Sequence, residues 1–240
     1  SVPDSQLVVI SMHIPLTNVG NRHELYRLIE DRPYTLSLSG HTHWQAHQFI
    51  GAEDGWMGKE PHHHIVNVTV SGSWWKGLKD ENGIPHATMR DGAPNGYSIL
   101  TFDGHKVTFD FKAARRSADY QMNIYAPEAV SASQLGETEV MVNVFAGSER
   151  SKVRFRIVGH SEWKRMDRTQ AHDPEYVRTR NREMALAPNL PELNAPVDSY
   201  HLWKALLPSG LPLGTYRIEV ETVDSSQRQF RSSRVLRVTE

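Results

Sequence analysis

The chain of 240 residues contains no cysteine. That excludes disulfide staples, thiolate zinc sites and a cysteine nucleophile, and leaves any metal site to histidine, carboxylate or amide ligands. An excess of either charge is missing as well: 27 Lys and Arg stand against 28 Asp and Glu, for a formal net of -1. Without a basic field there is no footprint for non-specific nucleic-acid binding, and a nucleic-acid partner is not expected. Long apolar runs are absent too. No stretch approaches the roughly 18 uninterrupted apolar residues of a membrane span, and mean hydropathy is -0.53, so no transmembrane segment is expected. Residues 1–6 are polar, and the apolar run 7–12 is too short for the core of a signal peptide. What the sequence does have is histidine: 13 in all, of which only His160, His172 and His201 lie beyond His105. Candidate chemistry therefore belongs to the first half, and a mass of 27.3 kDa predicts two domains.

Leu7-Val8-Val9-Ile10 is a continuous rather than alternating apolar run, the pattern of an inner strand covered on both faces. Asn21 with Glu24 three residues on marks a capping-box-like helix start. Leu25, Leu28 and Ile29 supply an apolar stripe, and Pro33 stops the helix. Residues 34–39 return as a second strand that ends in Gly40-His41-Thr42-His43. His13 and the His41/His43 pair thus follow the C-terminal ends of strands, the edge at which open α/β sheets bind ligands. Further strands are predicted at 45–50, 65–70, 98–102 and 106–111, with Asp103-Gly104 as a hairpin turn. From Met122 the pattern alternates, as in Val140, Val142 and Val144, or in Val153, Phe155 and Ile157 set against Lys152, Arg154 and Arg156. Alternation of this kind is half-buried antiparallel sheet. The stretch 173–196 interrupts it, with one short helix predicted at 175–184. The fold class expected is therefore an α/β unit over 1–117 followed by an all-β immunoglobulin-like sandwich over 118–240.

Ser11-Met12-His13-Ile14-Pro15, a helix, and then Ser39-Gly40-His41-Thr42-His43 resemble, in order and strand-end placement, the C-terminal half of the catalytic domain of a calcineurin-like metallophosphoesterase. The resemblance implies a centre of two divalent ions, manganese, zinc or iron, with His13 and His41 on one and His43 on the other. It implies hydrolysis of a phosphoester substrate by a metal-bridging hydroxide. It also implies motifs that do not precede His13 here: an Asp-x-His, a Gly-Asp with a bridging carboxylate, and a Gly-Asn-His that carries the leaving-group acid. Gly20-Asn21-Arg22-His23 and Asp103-Gly104-His105 follow His13 and read as a helix start and a turn. The expected partner is thus the N-terminal half of the phosphoesterase domain, from the same precursor or a companion chain, and this chain alone is expected to be inactive.

The segment 72–97 is similar to a subgroup of these enzymes with a dedicated C-terminal domain, a likeness that extends through 211–223. In it Trp74 and Trp75 are candidates to stack a substrate group and Arg90 to pair with phosphate through its planar fork, with Asn95 and Tyr97 beside them. The competing readings are tryptophans that pack a domain interface and an Arg90 in a surface ion pair. His62-His63-His64 reads as an exposed loop before a strand, and His47 as structural. Trp163, Tyr200 and Trp203 read as sandwich aromatics. Two alternatives stand beside the dinuclear hydrolase: a non-catalytic binding or structural module with a degenerate metal site and a glycan- or protein-binding sandwich, and a mononuclear hydrolase using His13, His41 and His43 alone. An appended immunoglobulin-like domain inclines the localisation toward the periplasm or secretion.

Overall fold

The computed structural model describes residues 2–240; Ser1, the first residue of the 1–117 unit, lies outside them. The first sheet contains β1 (Val8–Ser11), β2 (Thr35–Ser39), β3 (Ala46–Ile50) and β4 (His62–Val66) in the order β1-β2-β4-β3. β1 with β2 and β2 with β4 are parallel, and β3 returns antiparallel to β4. Parallel neighbours need a crossover. Between β1 and β2 it is made by α1 (Arg22–Ile29), which packs Tyr26 and Ile29 with Leu16, Ile50 and Trp56 against Ile10 and Met12. Asn21 is the N-cap residue but makes no side-chain cap bond. Its amide instead lies 3.4 Å from the Glu24 carboxylate. Leu28 departs from the expected stripe and is 75% exposed: at 100° per residue it falls outside the face shared by Leu25, Tyr26 and Ile29. β1 departs as well. Among the described residues it lies at the sheet edge with β2 as its one partner strand, and Val9 is 39% exposed, although its composition suits cover on both faces.

The histidine triplet corrects the sequence expectation most clearly. It is not a loop but the start of β4, with His62 and His64 2% and 0% exposed. β2 presents hydroxyls to it: His62 meets Thr35 Oγ1 at 2.8 Å and Ser37 Oγ at 2.7 Å, and His64 meets Ser37 Oγ at 2.6 Å and Ser39 Oγ at 2.9 Å. Burial pushes the pKa of His62 and of His64 down to about 4, and that of His63, with His47 and Arg150 repelling its charged form, to about 2. Neutral imidazole is a flat, hydrogen-bonding ring that a sheet interior accepts.

Two hairpins follow, β5 (Lys76–Lys79) with β6 (Pro85–His86) and β7 (Gly96–Asp103) with β8 (Lys106–Ala113). The second turns on Gly104 and His105, with Gly104 at φ 59°. The remaining strands build a two-sheet sandwich. β9 (Met122–Tyr125), β11 (Glu139–Val144), β14 (Asp167–Thr169) and β15 (Leu202–Leu206) form one sheet; β10 (Ala129–Ser131), β12 (Lys152–Ile157), β13 (Lys164–Arg165), β16 (Gly214–Val223) and β17 (Gln229–Thr239) form the other. The inward-facing set of each alternating strand, including Val140, Val142, Phe155, Ile157, Trp203, Ile218 and Leu236, meets in one core. Trp163 instead lies on the outer face, where Arg154 and Arg156 cover its ring at 4.8 and 4.5 Å. The short helix is present as α2 (Pro174–Leu186), started by Asp173, whose carboxylate accepts the Tyr176 N–H, with Pro174 in the first turn. The molecule is mostly β-sheet. The halves meet in a further apolar cluster in which Phe145 of the sandwich packs with Val68, Met89 and Phe111.

Candidate metal centre and adjoining groove

Because β1 and β2 are parallel neighbours, both their C-terminal ends open on the same edge. Backbone bonds continue past the strands, from Met12 N–H to Leu38 O at 2.9 Å and from Gly40 N–H to His13 O at 3.1 Å. They bring the His13 and His41 rings together edge to face, with His41 Nδ1 2.8 Å from His13 Nε2. Of these two nitrogens one carries a proton and donates it to the other. His43 is held differently. Its Nδ1–H donates to the Gly72 carbonyl and its ring lies flat on Trp74, centroids 3.8 Å apart. A carbonyl on Nδ1 fixes the tautomer that leaves a lone pair on Nε2, the usual arrangement behind a metal-binding imidazole.

The backbone here is constrained. His41, His43, Trp74 and Trp75 all have positive φ, at 68°, 55°, 64° and 50°, conformations that cost non-glycine residues free energy and persist where surroundings enforce them. Gly72 must be glycine, since a Cβ there would lie 1.6 Å from the Ala87 carbonyl oxygen.

Three imidazole donors suit zinc, manganese or iron, and the His43 tautomer fits ligation. The donor set is nevertheless partial: among the described residues no group of three or more His, Cys, Asp or Glu side chains is placed to hold a metal ion. The mononuclear three-histidine site therefore finds no support, and what the structure gathers is one close pair, His13 with His41, and a third ring oriented separately.

Trp74 and Arg90 both line an open groove of about 600 Å³ that starts at His41 and Thr42. The sandwich half contributes Val197, Asp198 and Tyr200 to its lining: Tyr200 packs on Trp44 with ring centroids 4.8 Å apart, and Arg90 Nε donates to Ala195 O at 2.9 Å. Trp75 is half exposed beside Trp74. Asn95 is tied back to the chain by its amide, which donates to Val70 O at 2.7 Å. Tyr97 lies elsewhere, on the rim of a more enclosed cavity of about 520 Å³ between the first sheet, the β7–β8 hairpin and the sandwich, which also contains His47 and His63. That cavity does not include His13, His41 or His43.

Sequence reasoning missed the buried polar cluster beneath the site. The carboxylate of Asp91, fully buried, accepts the Gln45 N–H at 2.7 Å and meets His201 Nε2 at 2.9 Å. His201 Nδ1 donates to Asn143 Oδ1 at 2.7 Å, and the Asn143 amide donates to Asp91 O and to Asp173. Burial raises the pKa of Asp173, opposed by its hydrogen bonds from Asn143 and Tyr176. Asp91 thereby anchors the exit of the His41–His43 loop to the sandwich. Its one sequence signal is the turn Arg90-Asp91-Gly92, where Gly92 has φ 85° and a Cβ would lie 2.1 Å from the Asp173 carboxyl carbon. The partners are far away in sequence, Asn143 within β11 and His201 in the turn that precedes β15, and neither carries a local motif.

No curated protein matches the chain. Among solved structures it is similar to CopC from Methylosinus trichosporium OB3b (12% identity over 59% of this chain and 93% of that one, TM-score 0.25). It is also similar to a superoxide reductase (neelaredoxin) from Ignicoccus hospitalis (18% identity over 50% of this chain and 81% of that one, TM-score 0.26). At this level of likeness neither fold nor chemistry transfers. The family model that describes the C terminal of calcineurin-like phosphoesterase matches residues 64–230. This span begins after His13, His41 and His43 and includes Trp74, Arg90, Asp91, Asn143 and His201. The chain belongs to the family of C-terminal regions of calcineurin-like phosphoesterases.

Proposed function

We propose that this chain is the C-terminal part of a dinuclear metal-dependent phosphoesterase. His13 and His41 contribute to one metal and His43 to the other, while the N-terminal half of an α/β catalytic domain brings the remaining ligands and the leaving-group acid. The observation that carries this reading is the meeting of His13 and His41 at adjacent parallel strand ends, 2.8 Å apart, in a chain whose remainder is a phosphoesterase C-terminal region. Two divalent ions held there would supply an acidified water and positive charge beside the phosphoryl oxygens.

The chain's own residues prepare that chemistry. Were His13 Nε2 and His41 Nδ1 to hold a metal, both would have to be unprotonated, each ring carrying its proton on the other nitrogen in place of the bond between them. The Gly72 carbonyl keeps the His43 proton on Nδ1. Asp91, through Gln45 N–H, holds the loop that carries both His41 and His43. The free edge of β1, with Val9 exposed, suits pairing with a strand from the upstream half. The localisation favoured is periplasmic or secreted.

Metal stoichiometry tests the assignment. In equilibrium dialysis against Mn²⁺ or Zn²⁺, the protein carrying its upstream half binds two ions, and His41→Ala weakens at least one of them by about 10- to 100-fold or more. Unchanged binding in His13→Ala, His41→Ala and His43→Ala contradicts it. The non-catalytic module draws on the incomplete ligand set within this chain; it requires an upstream half that lacks the Asp and Asn ligands.

A further inference from the structure

Beside the candidate metal centre the groove is built from both halves of the molecule, and its walls have a definite chemistry. Trp74 gives one face to His43 and is 44% exposed. Trp44 and Tyr200, one from each half, form a tilted pair that also lines the groove. At Trp74 and Arg90 the groove runs on into a second open space of about 500 Å³ bordered by Lys76 and Asn194. Arg90 is held by a side-chain bond from Nε to the Ala195 carbonyl. Among the described residues no hydrogen bond or ion pair occupies its two terminal nitrogens, so the paired end of the fork is available to an anion. Lys76 donates to Asn194 Oδ1 at 3.1 Å, which sets a second cation further along. Asp198, its side chain 62% exposed and one carboxylate oxygen 3.7 Å from His172 Nε2, places an acceptor on the rim by Tyr200.

We propose that this groove binds the leaving group of a nucleotide-type phosphoester, a flat heteroaromatic ring that carries a second negatively charged group. The proposal rests on the phosphoesterase reading for the position of the scissile phosphate near His41. Aromatic walls recognise a planar ring by stacking. Arg90 and Lys76 take the second anionic group, and the Asp198 carboxylate accepts from an exocyclic amine or a ribose hydroxyl. A combined space on this scale accommodates a ligand of that size. The sandwich half is thereby a specificity element, since it supplies Tyr200, Asp198 and the carbonyl that aims Arg90.

The test is binding, read separately from turnover. Adenosine 3′,5′-bisphosphate, ribose 5-phosphate and inorganic phosphate are titrated into the intact chain, with tryptophan fluorescence and calorimetry as readouts. The bisphosphate is expected to bind about tenfold or more tighter than ribose 5-phosphate, and Trp44→Ala and Arg90→Ala to lose about tenfold each. Arg90→Lys, which keeps the charge without the fork, replaces any variant whose circular dichroism shows misfolding, and it is expected to weaken the bisphosphate as well. Ribose 5-phosphate binding as tightly as the bisphosphate overturns the proposal, and so do folded variants that bind like the parent. Hydrolysis of an aryl phosphate by the protein with its upstream half distinguishes the two claims. Activity without nucleotide preference removes the groove assignment alone. Nucleotide binding lost in Arg90→Ala, in a protein that never hydrolyses, leaves the groove in place and removes the phosphoesterase reading.

Discussion

Asp91 carries more structural consequence than any histidine at the candidate site, because its carboxylate is where the two halves and the His41–His43 loop are joined. Taking it away leaves the buried His201 ring and the Gln45 N–H without their partner, and losses of this kind cost about 3–5 kcal/mol. Asp91→Ala is therefore expected to lower the urea midpoint sharply, with an unchanged slope. A midpoint within experimental error of the parent shows that the cluster does not hold the fold. Gly92→Ala acts on the same joint from the backbone side. It meets the Asp173 side chain and must keep a left-handed φ of 85°, a conformation that costs roughly 1–3 kcal/mol. A stability equal to that of the parent contradicts the close approach. Substitution of Leu28, on the surface of α1, is expected to cost within about 0.5 kcal/mol.

At the scale of elements, β4 makes a pH prediction. The pKa of His62 and of His64 stands at about 4 in the folded chain against a usual 6.5. Folding therefore favours their neutral forms. Between these values the unfolded chain binds more protons, so their contribution is fully present above pH 6.5 and is lost as pH falls from about 6.5 to about 4. A depression of this size is worth roughly 3 kcal/mol per ring, and two rings reach the scale of a domain's whole stability, about 5–15 kcal/mol. Acid unfolding followed by circular dichroism is expected to begin below pH 6.5 and to be far advanced near pH 4. A flat stability profile across that interval contradicts the buried, neutral placement.

The same strand shows what sequence patterns convey. Strands with regular alternation, such as Val140-Val142-Val144, and the His13 and His41/His43 positions at strand ends were legible because period and order carry them. The histidine start of β4 was not, although a strand was expected from residue 65, since three histidines count as polar until hydroxyls from the neighbouring strand make them good interior residues. Asp91 with His201 was hidden for a related reason: the pairing spans 110 positions, and the turn at Asp91 does not point to His201.

For the whole molecule, the first sheet and the sandwich are held by a shared apolar cluster around Phe145 and by the Asp91 cluster, so the sandwich positions the groove as well as adding bulk. The first sheet presents one face to α1, and its β1 edge takes no strand partner within the described residues. The candidate centre likewise gathers one close histidine pair and a third ring, and the proposed function assigns the remaining ligands to an upstream half. Structure and ligand count thus lead to one expectation about activity. The decisive measurement is metal-dependent hydrolysis of an aryl phosphate by the 240-residue chain alone and by the same chain joined to its upstream half, each with Mn²⁺ or Zn²⁺. The account predicts low or no turnover alone and turnover in the joined protein that His41→Ala abolishes. Robust hydrolysis by the chain alone, or a joined protein indifferent to His41→Ala, would contradict it.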